Sequence, residues 1–202
     1  LLLRMWRTTR GGGGRGNTAW LLKGLYEAKA QGAILGVFFD VQLVMEAHNY
    51  NVGDTFEAVF NRDEADQYSE TFSAKAEVLH LSDGKIVGRD HGSRAGMASD
   101  LGAKAVLKIG TVTVVVISIR QQCIDPGYFE EFGVDVKSAR TVVVKSRGHF
   151  RAGFSVYFQP DQVVECDAPG LTSPNLENFD WEGFKRPIFP LDMDTIWIPP
   201  NW

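Results

Sequence analysis

An α/β fold is what this sequence predicts: a mostly parallel sheet flanked by helices, with an antiparallel β meander in the middle of the chain. Two runs of apolar, largely β-branched residues, Ala33–Phe39 and Thr141–Val144, have the continuous pattern of strands buried on both faces. Each is followed by a polar turn and a helical pattern, the order expected of parallel strands joined through helices. Between them lie Thr55–Asn61, Phe72–Leu81, Lys85–Arg89, Ala103–Ile109 and Thr111–Ser118, which read as strands without intervening helices. The meander therefore covers about residues 54–118. The 202 residues are expected to form a single domain.

In chain order, Leu1–Trp6 reads as a first strand, ending in Arg7, Thr8, Thr9 and Arg10. Gly11, Gly12, Gly13 and Gly14 follow, then Arg15-Gly16-Asn17-Thr18. Asn17 or Thr18 is the expected N-cap of a helix carrying Trp20, Leu21, Leu22, Leu25 and Tyr26. Asp40 stops the second strand and caps a helix over Val41–Asn49. Ser82-Asp83-Gly84-Lys85 has the residues of a hairpin turn, and Asp63–Glu70 and Asp90–Asp100 read as loops. Asp125-Pro126 opens a short helix over Gly127–Phe132. Lys145-Ser146-Arg147-Gly148 breaks the strand at 141–144, and His149–Tyr157 reads as a helix. Gln162–Cys166 is the last strand. The tail, about 171–202, shows no regular element, and its apolar residues are expected to pack across the domain or onto a partner.

Formal net charge is −4, which argues against a general nucleic-acid or membrane-surface footprint. No apolar run has the length of a membrane span. The two cysteines, Cys123 and Cys166, lack CxxC spacing, so a reduced, cytoplasmic setting is expected. The opening LLLRMW has no signal-peptide cleavage pattern and no initiator Met, so the chain is expected to be part of a longer one.

Two strand-to-helix junctions carry the candidate chemistry. The glycines allow close backbone approach, and successive N–H groups can form an anion nest. The spacing is not that of a nucleotide P-loop. At the second junction Lys145, Ser146, His149 and Arg151 suit a carboxylate, another anion or a developing oxyanion. The candidate substrate-binding residues are therefore Gly11, Gly12, Gly13, Asn17, Thr18, Lys145, Ser146, His149 and Arg151. Substitution of Lys145 or Arg151 by Ala is expected to weaken substrate use more than stability. His48, His80, His91 and His149 form no HExxH or HxH arrangement, and no complete metal site is expected in the chain. Pairing of Cys123 or Cys166 with His149 for nucleophilic catalysis is the weaker reading, because a buried thiol is more often inert. No catalytic residue is assigned.

The segment Val142–Phe154, with Lys145, Ser146, His149, Phe150, Arg151, Ala152 and Phe154, resembles the KSxxHFRAxF segment of the microcystinase C (MlrC) family. Gly11–Gly13, Gly16 and Thr18 are similar to its glycine loop. Asp125-Pro126, Phe129 and Gly133 are similar to the helix before the KS strand. Asp167–Gly170 and the run Arg186-Pro187-Ile188 to Pro190-Leu191-Asp192 are similar to its DAPG and RPIxPLD endings. The likeness spans nearly the whole chain and corresponds to the family's carboxy-terminal domain. It implies one part of a zinc-dependent peptidase or amidohydrolase acting on a small peptide or amide. The zinc would be held by an amino-terminal domain absent from this chain, so the chain alone would bind none and be inactive. The family's usual Asp-Asn pair before the glycines is replaced here by Thr8-Thr9.

Three functions follow. The chain is the cleft-lining half of such an enzyme, a non-catalytic anion- or ligand-binding domain that has lost the Asp-Asn pair, or an interaction domain whose tail docks a partner. A homo-oligomer stays open.

Overall fold

The computed structural model of the chain describes residues 2–5, 16–63, 65, 66, 68–87, 96–146, 148–170, 172, 173, 175–196, 198 and 199, with backbone alone at 2–5. Ten strands and four α-helices are defined among these residues. In order they are β1 (Leu2–Met5), α1 (Trp20–Glu27), β2 (Ala33–Phe39), α2 (Val41–Ala47), β3 (Thr55–Phe60), β4 (Phe72–Ser82) and β5 (Lys85–Val87). Then come β6 (Ala98–Asp100), β7 (Lys104–Ile109), β8 (Val112–Ile117), α3 (Gly127–Glu130), β9 (Thr141–Val144), α4 (Phe150–Phe154) and β10 (Val163–Cys166).

Eight strands form one mixed sheet in the order β10-β1-β9-β2-β8-β7-β4-β3. The pairings from β10 to β8 are parallel, and those from β8 to β3 are antiparallel. Composition explains the division. The inner strands β2, β8 and β9 are apolar and buried on both faces apart from the half-buried Phe39, Thr113 and Thr141. From Phe72 to Leu79, β4 alternates buried and exposed residues, as a strand with one covered face does.

Helices cover both faces. On one, Leu22 and Leu25 of α1 and Leu43 and Val44 of α2 pack with Leu35, Phe38, Val114 and Val116. On the other, Phe129 of α3 and Phe150 and Phe154 of α4 pack with Val37, Val115, Val142 and Val144. Each such side chain contributes roughly 1.5–3 kcal/mol by leaving water. Gly36 is needed for the second contact, because a Cβ there would lie 2.7 Å from the ring of Phe129. The end of β3 and the start of β4 bend back over the α1–α2 face. Phe60 stands edge-on to Phe38 at 5.1 Å, and Tyr26 meets Phe72 at 5.5 Å.

Four local expectations are corrected. Asp83-Gly84 is not a β4–β5 hairpin: Ser82 of β4 pairs with Lys104 of β7, and the chain leaves the sheet to form a separate β5–β6 ribbon. Gly84 keeps the expected positive φ of 96° and accepts from Leu101 N–H at 2.9 Å. The expected loop Asp90–Asp100 ends in strand β6, since Ala98–Asp100 finds partners in β5. Neither Asn17 nor Thr18 caps α1: the N-cap is Ala19, because the Asn17 amide is drawn to Asn61 instead. The tail is not wholly irregular, since Leu176–Asn178 forms a 3-10 turn. No helix among the described residues is long and apolar enough to cross a membrane.

Candidate functional site

Parallel pairing puts the carboxyl ends of β10, β1, β9, β2 and β8 along one edge of the sheet. Free N–H groups and strand tips gather at such an edge, which is where open α/β sheets take ligands. The residues that follow these strands are the candidate site.

Lys145, directly after β9, is 1% exposed. Its Nζ donates to the carbonyl oxygens of Gly16 at 2.8 Å and Thr18 at 2.9 Å, and lies 4.1 Å from the centroid of Phe38. Gly16 O also accepts from Phe39 N–H at 3.1 Å. The end of the glycine loop is thereby fastened to the tips of both β9 and β2. Burial holds the Lys145 amine down to about 7, with the negative charge of Asp40 pulling the other way. A buried cation of this kind persists only where acceptors satisfy it, and here two carbonyls do.

Asp40 organises the other side of the junction. Its Oδ1 accepts from Leu43 N–H at 2.9 Å, capping α2 as the sequence predicts. Its Oδ2 accepts from Asn61 N–H at 2.9 Å. Burial pushes its carboxyl above the ordinary range, against those same hydrogen bonds. Asn61, at a φ of 55°, accepts from Asn17 Nδ2 at 2.7 Å and donates through Nδ2 to Ser69 Oγ at 2.7 Å. Loop, β2 tip and β3–β4 connection thus form one polar network.

Of the sequence-derived site residues, the structure brings together Asn17, Thr18, Lys145 and Ser146. Thr18 and Ser146 are both buried, and their hydroxyls have no hydrogen-bond partner among the described residues. His149, the N-cap of α4, is exposed, with Nδ1 3.1 Å from Gln122 Oε1. Arg151 reaches Glu165 on β10 at 3.3 Å, with both side chains nearly half exposed. No described hydrogen bond joins Arg151 to Lys145 or to residues 16–18. Gly11, Gly12 and Gly13, with Arg7, Thr8, Thr9 and Arg10, lie outside the described residues, as do His91 and Arg94.

Asn61 and Gln122 were not singled out by the sequence. Asn61 stands 44 residues from its partner Asn17, and no local spacing announces the pair. A cavity of about 190 Å³ opens beside it, lined by Asn17, Phe39, Asp40, Gln42, Asn61 and Arg62 among others. It is smaller than the ~300–1,000 Å³ of ordinary ligand pockets. Among the described residues no group of three or more His, Cys, Asp or Glu side chains could hold a metal ion. The donors present therefore do not fit a zinc site, and no chemical step is assigned to zinc here. Cys123 is fully buried and its thiol is pushed well up by burial, which suits a packing role.

Strand-tip loops on a mixed sheet define the class, and sequence comparison gives the family. The model of the MlrC C-terminus family matches residues 9–183, and the chain belongs to that family. Comparison with curated proteins found no match. Among solved structures, the crystal structure of a metallopeptidase-like protein from Mesorhizobium sp. BNC1 superposes with a TM-score of 0.80 at 24% identity. The likeness covers 98% of this chain and 39% of that chain, so this chain spans about two fifths of that protein. At that identity the likeness is one of fold.

Proposed function

We propose that this chain is the carboxy-terminal half of a zinc-dependent MlrC-like peptidase or amidohydrolase. In that reading the glycine loop, 11–18, and the turn 145–149 line one wall of the substrate cleft. An amino-terminal domain on another part of the protein holds the zinc and closes the cleft, and the substrate is a small peptide or amide. The observation that carries the reading is the Lys145 bridge to Gly16 and Thr18, which fixes both junctions at one sheet edge. The modest size of the cavity there supports a site completed from elsewhere.

Zinc, when bound by that other domain, would polarise a scissile carbonyl and activate water. This chain's part is to bind and orient. His149 and Arg151 face solvent at the same edge and can hold a substrate carboxylate or carbonyl oxygen, a charge-assisted contact contributing about 1.5–3 kcal/mol. Lys145 acts through the loop it holds. The test is hydrolysis of small peptides by the full-length, zinc-loaded protein. Turnover lost on Arg151→Ala with zinc content unchanged supports the reading, and turnover unaffected by Arg151→Ala and His149→Ala together overturns the assigned wall.

A second reading is favoured by Thr8-Thr9, which stand where the family carries Asp-Asn. It makes the protein a binding module without catalysis. Full-length protein that holds zinc yet cleaves no peptide would select it.

A further inference from the structure

Phe150, Phe154 and Phe158 stand four residues apart, so they share one side of α4 and of the turn that continues it. Phe150 and Phe154 are buried in the core, and Phe154 lies 6.3 Å from Phe129. Phe158 is half-buried, and its N–H donates to Phe154 O at 3.0 Å. Beyond it a 3-10 turn at Pro160 leads the chain into β10, an edge strand of the sheet. Alternate residues of a strand share a face, so Val163 and Glu165 lie on the side of β10 that meets α4. Val163 packs on the same core, and Glu165 accepts from Arg151 at 3.3 Å.

Between α4 and β10 is a cavity of about 360 Å³, lined by the three rings, Pro160 and Val163. Ordinary ligand pockets occupy ~300–1,000 Å³ and have apolar walls with a few polar groups, and this cavity has both properties. Arg151 is the one charged side chain on its lining. The walls select an apolar group. A guanidinium carries N–H donors in a planar fork that matches a carboxylate. Among the described residues that of Arg151 has one hydrogen-bonded side-chain partner, Glu165, and both are nearly half exposed. So open a pair is weak, and donors remain for a second carboxylate. A single cation shared with Glu165 suits one negative charge, not the two of a phosphate monoester.

We propose that the pocket between α4 and β10 binds an aromatic or branched aliphatic group that ends in a carboxylate. The apolar part sits among Phe150, Phe154 and Phe158, and Arg151 holds the carboxylate. Such a group is a free acid or the carboxy-terminal residue of a peptide. The second source rests on the cleft-wall reading, which gives Arg151 to the substrate, while the pocket's chemistry stands without it.

Calorimetric titration of the zinc-free full-length protein with hydrocinnamate and with its amide tests the proposal, the metal being removed so that it cannot capture the acid. The acid should bind at least about tenfold more tightly than the amide. Arg151→Gln removes the cation, and Ser155→Trp fills the pocket from an exposed position on its lining. Each should weaken the acid at least about tenfold, and Ser155→Ala should bind it as wild type does. No binding by the wild type, equal binding of acid and amide, or binding that survives either Arg151→Gln or Ser155→Trp overturns the proposal. N-acetylphenylalanine separates the sources: tight binding supports a peptide terminus, and its rejection beside bound hydrocinnamate supports a free acid. A protein that binds the acid yet, zinc-loaded, hydrolyses no peptide supports the pocket while removing the catalytic reading.

Discussion

Lys145 Nζ donates to Gly16 O at 2.8 Å across 129 residues of sequence, and to Thr18 O at 2.9 Å. This contact ties the glycine loop to the tip of β9. It also changes what a substitution there should do. An exposed lysine aimed at substrate would affect turnover first, but Lys145 is enclosed. Lys145→Met should destabilise the protein by about 2–4 kcal/mol, because two buried carbonyls lose the amine that donates to them. Urea unfolding measures it, and a loss under about 0.5 kcal/mol would show that water replaces the amine without penalty.

The same amine predicts a pH dependence. Burial lowers its folded-state pKa to about 7 from an ordinary 10.5. Between those values the unfolded chain binds the proton and the folded chain does not, so stability rises with pH across the window. Burial lowers Lys104 to about 8, which adds to this slope, but it does so in every variant that retains it. The difference in unfolding free energy between wild type and Lys145→Met should therefore grow in favour of wild type from about pH 7 to about pH 10. Parallel pH profiles would mean that Lys145 titrates normally.

Asp40 joins α2 to Asn61 through its two oxygens. Asp40→Ala removes a helix cap and strands the Asn61 N–H, and should lower stability by about 2–3 kcal/mol. Asp40→Asn keeps one acceptor and should lose about half as much. Chemical denaturation of the pair distinguishes a cap from a catalytic carboxylate, which would show similar stability in both and a larger loss of turnover.

Arg151→Ala is the converse case. Its ion pair with Glu165 is nearly half exposed on both sides, so its removal should change stability by under about 1 kcal/mol. Turnover by the full-length protein should fall at least tenfold, about 1.4 kcal/mol, if Arg151 holds substrate. Equal losses in melting temperature and turnover would make it structural.

Gly36→Ala places a methyl group 2.7 Å from the Phe129 ring. Overpacking of this kind costs about 1–3 kcal/mol. A melting temperature at the wild-type value would show that α3 shifts freely.

The central strands were legible because residues buried on both faces leave a run of β-branched, mostly apolar residues, as in Val112–Ile117 and Thr141–Val144. Asp40 was legible because capping is a local interaction. The Asp83-Gly84 turn misled for the same reason. Its residues specify a tight turn, but β7 competes for β4 and wins over six paired positions. Asn17 has the residue type of a cap, but its amide is taken by Asn61, in the turn after β3. The KS turn was visible as a cluster of cations, whereas sequence could not show that Lys145 points inward to backbone carbonyls while Arg151 points to Glu165. Lys145 is set by the tip of β9 and Arg151 by α4 and its packing beside β10, and only the packed sheet decides both.

Division of labour between a cleft wall and a separate metal-bearing domain is the central claim. Zinc content by equilibrium dialysis, measured on 1–202 and on the full-length protein at neutral pH, tests it most directly. The account predicts stoichiometric zinc in the full-length protein and none retained by 1–202. Stoichiometric zinc held by 1–202 alone would contradict it.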